Sequence, residues 1–205
     1  MRILLIDDHP LFRGGLKYLL RGLDESVETD ESGDCAQALE RLGAGPYDLV
    51  LLDLKLPGVN GLDALASLRE AAPGTPLIML SGEDDPEVVR AAIERGAMGF
   101  IPKSSTPEVM IQALQLVLKR GVYLPPTVLD AVHTGAPSAL PGLTPRQMDV
   151  MRCVIRGMPN KVIARELDVS EATVKAHLTA VFQAIGARNR TEAVYVAAKL
   201  GLRLS

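Results

Sequence analysis

"LLDLKLPGVNGL", residues 51–62, is an apolar run that delivers a carboxylate, Asp53, and then breaks into Pro57, Gly58, Asn60 and Gly61. A short apolar run bounded by turn residues reads as a buried strand. Comparable runs lie at residues 3–6, 77–80 and 99–101, with a weaker one at 27–29. Between them apolar residues fall at helical spacing, as in Phe12, Leu16, Leu19, Leu20 and Leu23. Strands alternating with helices predict an α/β fold, a doubly wound parallel five-stranded sheet. Such sheets gather their chemistry beyond the carboxyl ends of the strands. Asp7, Asp8, Asp53, Ser81 and Lys103 each close or directly follow one of these runs, so they are expected to meet.

Carboxylates converging at one sheet edge repel one another, and burying them unpaired is costly, so a cation is expected beside them. Oxygen ligands with room for water and phosphate favour magnesium over zinc. Lys103, with the Ser81 hydroxyl, would hold the remaining oxygens of a phosphoryl group. Asp53, at the end of the central strand, would be the nucleophile, because carboxylates can carry phosphate covalently. The Pro and Gly after it let the loop open for a donor.

These residues resemble the receiver domain of bacterial response regulators, over roughly residues 1–120. The stretches that carry the resemblance are "LLIDDHPLFRGGL", "LVLLDLKLPGVNGL", "LIMLSGEDD" and "GAMGFIPKSSTPEVM". The resemblance implies a flavodoxin-like receiver in which Asp8 and Asp53 ligate magnesium directly, Asp7 through water, and the backbone carbonyl of Lys55 adds a further ligand. It implies that Asp53 takes phosphate from a sensor histidine kinase, and that Ser81 and Phe100 form a switch, the hydroxyl moving toward the phosphoryl group and the ring turning inward. Aspartyl-phosphate hydrolases on a similar sheet need a second acid two residues after the nucleophile. Position 55 is Lys, so a turnover enzyme is not expected.

The helix expected over residues 107–120 places Glu108, Gln112, Gln115 and Lys119 on one narrow stripe, with Val109, Met110, Ile111, Leu114, Val117 and Leu118 around most of the rest. One sheet buries only part of that arc. The surplus suggests a partner, and the resemblance implies homodimerisation through the first and last receiver helices.

Charge divides the chain in two. Residues 1–140 carry 12 Lys and Arg against 20 Asp and Glu, a balance of −8, and residues 141–205 carry 10 against 5, or +5, together the −3 of the whole chain. A basic back third suggests a polyanionic partner. Between 121 and 142 the periodicity lapses at Pro125, Pro126, Gly135, Pro137 and Pro141, which marks a linker over 121–141. Residues 142–205 then read as a small all-α domain. Thr144 is expected to cap its first helix, with Pro145 at the first position and Gln147 closing a capping box; Ser170 caps a later helix, and Thr191 starts the last.

Within 171–185, Val174, Leu178, Val181 and Ile185 share one face, and Lys175, Ala176, Thr179 and Gln183 the other. Preceded by a short helix at 161–167 and a turn at 168–170, this is a helix-turn-helix whose second helix enters the major groove. Lys175 suits guanine O6 and N7, and Ala176 a thymine methyl. Ser170, Thr173, Lys161, Arg188 and Arg190 suit backbone phosphates. "LTPRQMDVMRCVIRGMPNKVIARELDVSEATVKAHLTAVFQAIGARNRTEAV" closely resembles the LuxR-type DNA-binding domain, and its pairing with a receiver resembles the NarL/FixJ group of response regulators. Thr179 and Gln183 stand where relatives often carry longer or basic side chains, and Met158-Pro159 replaces a small polar pair.

The reading that follows is a cytoplasmic regulator, phosphorylated on Asp53, that binds an inverted-repeat site in double-stranded DNA as a homodimer. The resemblance implies that receiver and effector mask one another before phosphorylation. The alternative is a receiver-controlled adaptor whose helical module does not read DNA. Cys35 and Cys153 lie far apart, form no CxxC and have no His at ligand spacing, so neither a disulfide framework nor a zinc site is indicated. No stretch approaches the roughly 20 apolar residues of a membrane span.

Overall fold

The computed structural model describes residues 1–83, 85–126, 128, 140, 142–200 and 202. Five strands, β1 (Arg2–Ile6), β2 (Glu28–Ser32), β3 (Leu49–Asp53), β4 (Leu77–Ser81) and β5 (Gly99–Pro102), alternate with helices α1 (Pro10–Arg21), α2 (Cys35–Ala44), α3 (Gly61–Ala71), α4 (Pro86–Glu94) and α5 (Pro107–Leu118). All neighbouring strands run parallel, in the order β2-β1-β3-β4-β5. The order reverses direction around β1 and β3, and the crevice outside such a switch point is where doubly wound sheets bind ligands.

Continuous apolar strands mean that both faces of the sheet are covered. Ile3, Leu5, Leu49, Leu51, Ile78 and Leu80 pack with Leu16 and Leu20 of α1 and with Met110, Leu114 and Val117 of α5. The alternate residues Leu4, Ile6, Val50, Leu52 and Met79 pack under α2, α3 and α4. Strand β2, "ETDES", departs from the expected apolar run at 27–29. It is an edge strand, paired with β1 alone through the register Arg2↔Glu28 to Ile6↔Ser32, so only Ser32 at its end needs burial.

The loop after Asp53 returns tightly to the strand it leaves. The Gly61 N–H donates to the Leu54 carbonyl at 2.7 Å, and a Cβ on Gly61 would stand 2.3 Å from the Asp53 carbonyl oxygen and 2.9 Å from Leu54 Cα. Both obstacles are backbone and cannot rotate away. Gly61→Ala is therefore expected to lower stability by about 1–3 kcal/mol, the usual range for overpacking. Urea unfolding should show the loss, and amide shifts of the 53–55 segment should show that the displaced backbone is that of Asp53.

Beyond α5, Tyr123 pairs in parallel with Gly99 at the edge of β5, and the Phe100 N–H donates to the Tyr123 carbonyl at 3.2 Å. Most of the expected linker lies outside the described residues. The second unit consists of α6 (Pro145–Ile155), α7 (Asn160–Glu166), α8 (Glu171–Ile185) and α9 (Arg190–Lys199). Thr144 and Gln147 close their capping box around the start of α6, and the Ser170 side chain accepts from the Thr173 N–H at the start of α8. Asn189 caps the last helix by accepting from the Glu192 N–H at 2.8 Å, so that helix starts at Arg190, one residue before the expected Thr191. Pro159 sits at the N-cap of α7, where its missing N–H costs nothing.

The two units touch. The Leu116 side chain of α5 lies against both Gly121 and Gly157, and a Cβ on Gly121 would stand 2.8 Å from the Gly157 carbonyl oxygen. Helix α4 also contacts α9. Among the described residues no helix is long and apolar enough to cross a membrane.

Candidate functional site

Parallel pairing builds the acidic site. Ile6 is level with Leu52 and Asp53 with Leu80, so Asp7, Asp53 and Ser81 leave three adjacent strands side by side. Asp7, Asp53 and Ser81 are each no more than 2% exposed. Pro102 is level with Ser81, and the Lys103 N–H donates to the Ser81 carbonyl at 2.6 Å, which brings the lysine in from the end of β5.

The Lys103 ammonium bridges the cluster, 2.7 Å from Asp53 Oδ2 and 2.8 Å from Asp7 Oδ2. Burial pushes the Asp53 carboxyl above the usual carboxylate range; Lys103 and the Lys55 N–H oppose that rise, and the neighbouring Asp7 charge adds to it. Asp7 Oδ2 is fully buried and, despite its close ion pair, accepts no hydrogen bond of good geometry. Asp8 stands at the mouth with its side chain 36% exposed. An all-oxygen set with a spare buried lone pair fits a hard divalent cation held by Asp7, Asp8 and Asp53. The Ser81 hydroxyl accepts from the Glu83 N–H at 2.9 Å and keeps its own proton to donate. Phe100 is wholly buried, so its ring is already inward. The Lys55 side chain turns away to Glu83, 2.5 Å distant.

Three residues outside the expected set complete the surroundings. His9 lies over the carboxylates, with Nδ1 2.8 Å from Asp8 Oδ1 and 3.2 Å from Asp7 Oδ1. Arg13 donates to the backbone carbonyl of Asp7 and, through Nε, to Glu31 at 2.7 Å; Lys17 also reaches Glu31, at 2.5 Å. His9 was visible as the residue following the acid pair; the Arg13–Glu31 link joins α1 to β2 and has no signal in spacing.

Lys17 and then Arg13, by hydrogen bonding, hold the Glu31 carboxyl below its ordinary value. A carboxylate with a depressed native pKa adds stability above the unfolded value and loses it as pH falls through the native value. The stability difference between wild type and Glu31→Gln is therefore expected to be largest near neutrality and to vanish on acidification. Thermal unfolding between pH 7 and pH 3 measures it, and a difference that survives at the acid end would show that ionisation of Glu31 is not the cause.

In the second unit Val174 and Val181 are fully buried and Leu178 nearly so, while Lys175, Ala176, Thr179 and Gln183 are exposed. Among the described residues the contacts between the units run through α4, α5 and α9, and this face of α8 is exposed. Thr179 spends its hydroxyl proton on the Lys175 carbonyl, 3.1 Å away. Ser170 and Thr173 share a hydroxyl–hydroxyl bond of 2.8 Å, which uses one proton of the pair and leaves the other to donate. Lys161 is exposed, and Arg188 is held against Glu192.

Arg190 corrects the expected phosphate set. Its guanidinium donates to Asn160 at 3.1 Å and to the Met158 carbonyl, and burial lowers its pKa to about 10. It ties α9 to the turn before α7 through its two terminal nitrogens, while Nε is buried without a partner, so the side chain is held inside the domain.

Residues 3–115 match the model of the response regulator receiver domain, and residues 141–197 that of the bacterial regulatory proteins of the luxR family. The chain belongs to the LuxR-type response regulators. It is 39% identical to the glycerol metabolism activator of Pseudomonas putida over 94% of this chain and 93% of that one. It is 34% identical to the nitrate/nitrite response regulator protein NarL of Escherichia coli K12, over 93% and 92%. A LuxR family DNA-binding response regulator from Silicibacter pomeroyi superposes with a TM-score of 0.56 at 38% identity, covering 62% of this chain and 98% of that one. As a LuxR-type response regulator the protein is a two-component transcriptional regulator and not an enzyme.

Proposed function

We propose that Asp53 accepts a phosphoryl group from a sensor histidine kinase, and that the phosphorylated protein binds an inverted-repeat DNA site as a homodimer in the cytoplasm. The observation that carries this reading is Lys103 bridging Asp53 and Asp7 at 2.7 and 2.8 Å, beside Ser81, at the carboxyl end of the central strand. An Asp53 oxygen attacks phosphorus; the new O–P bond forms as the bond to the donor's imidazole nitrogen breaks, and that nitrogen keeps the electron pair. Lys103 is placed to hold one phosphoryl oxygen and the Ser81 proton another, once Ser81 leaves Glu83. Asp7, Asp8 and Asp53, with the Lys55 carbonyl, would hold magnesium, which when bound offsets the negative charge gathered there.

The division into a receiver over 1–120, a linker over 121–141 and an effector over 142–205 goes with this reading. Lys175, Ala176, Thr179 and Gln183 face bases, and Lys161, Ser170, Thr173 and Arg188 face phosphates. A second copy has a seat on α1, which leaves Leu11 94% and Tyr18 78% exposed at i and i+7 beside α5. On this reading, with Phe100 buried, the switch movement left is that of the Ser81 hydroxyl.

The full chain, mixed with fragmented genomic DNA with and without beryllofluoride and magnesium, tests the whole. The expected result is a palindromic motif enriched more strongly with the phosphoryl mimic. A folded protein that enriches no sequence in either condition would overturn the DNA reading in favour of an interaction adaptor.

A further inference from the structure

His9 has no part in the chemistry above. It stands at the N-cap of α1 without capping the helix through its side chain, and its ring folds back over the acid cluster. Nδ1 lies 2.8 Å from Asp8 Oδ1, 3.2 Å from Asp7 Oδ1 and 3.8 Å from Asp53 Oδ2. Adjacent ligands around a six-coordinate ion with bonds near 2.1 Å stand about 3 Å apart. Toward Asp8, the His9 nitrogen therefore stands where a neighbouring ligand would stand. One donor atom from each of Asp7, Asp8, His9 and Asp53 fits within 4.8 Å of the others. Lys103 engages the other Asp7 oxygen, so the ammonium and the imidazole do not compete for it.

We propose that His9 is a further ligand of the metal held by Asp7, Asp8 and Asp53, and that it raises the site's affinity for first-row transition ions relative to magnesium. The inference rests on the acidic site being a metal site, as in the reading above. Carboxylates serve hard and borderline ions alike, whereas an imidazole nitrogen adds little for magnesium and progressively more along the first transition row. The His9 side chain is 62% exposed and so is free to swing onto or off the ion without disturbing the core.

Electron spin echo modulation of manganese(II) bound to the full chain reads this directly, since only an imidazole nitrogen in the coordination sphere couples strongly to the electron spin. Wild type should show one nitrogen, and His9→Ala none. His9→Ala should also weaken manganese binding, measured calorimetrically, by at least about tenfold, the lower end of what even an outer-shell partner is worth. The chain has three histidines, so His177→Ala serves as a control that should keep the signal. No nitrogen in wild type, or a nitrogen that persists in His9→Ala, would overturn the assignment. Wild-type protein that takes up no phosphate from acetyl phosphate with magnesium would instead count against Asp53 as the phosphoacceptor, a separate failure that the nitrogen signal does not share.

Discussion

Asp53→Asn is expected to reduce labelling of the full chain by acetyl phosphate and magnesium to background. The amide keeps the shape of the side chain and can still accept from the Lys55 N–H, but its oxygen is a poor nucleophile. Loss of label would not reflect loss of fold. Burial already pushes the Asp53 carboxyl toward its neutral form, so its ionised state works against folding at neutral pH, and a neutral isostere removes that cost. The sign is definite: a carboxyl whose native pKa is raised lowers stability as pH climbs through that value. Thermal unfolding of the variant at pH 7 should therefore match or exceed wild type in metal-free buffer. Phosphate retained by Asp53→Asn would move the acceptor to Asp8, the more exposed member of the acid pair.

What the sequence revealed of this site, and what it hid, follow from the same physics. The convergence of Asp7, Asp53, Ser81 and Lys103 was legible because parallel strands finish at one edge, so a residue's position at the end of an apolar run gives its place in space. The polar strand β2 was legible only at its start, because its residues are set by pairing with β1 and not by burial of their own side chains. Arg13 and Glu31 are 18 residues apart and are joined only when α1 lies beside the end of β2, a contact that no periodicity announces. Arg190 shows the opposite error. A basic residue in a basic domain reads as a phosphate contact, yet this one is desolvated and tied inward to Asn160 and Met158. Composition reports charge, but only the fold reports which charges are already used.

On the proposed function, that distinction concentrates base reading on one residue. Of the outward face of α8, Thr179 has given its proton to the Lys175 carbonyl, Ala176 offers only a methyl, and Gln183 lies two turns farther along. Lys175 remains as the donor near the end of the helix that enters the groove, with its side chain exposed. Lys175→Ala is accordingly expected to cost about 1–3 kcal/mol at the preferred site, about 5- to 150-fold in affinity, and to relax preference at one base pair. Titration against the site and a panel of single-base variants, at two salt concentrations, separates the two roles open to a lysine. A base contact loses affinity for the preferred sequence and much less for its variants. Equal weakening on every sequence, with the salt dependence reduced by about one unit of slope, would make Lys175 a phosphate clamp and leave discrimination to DNA shape.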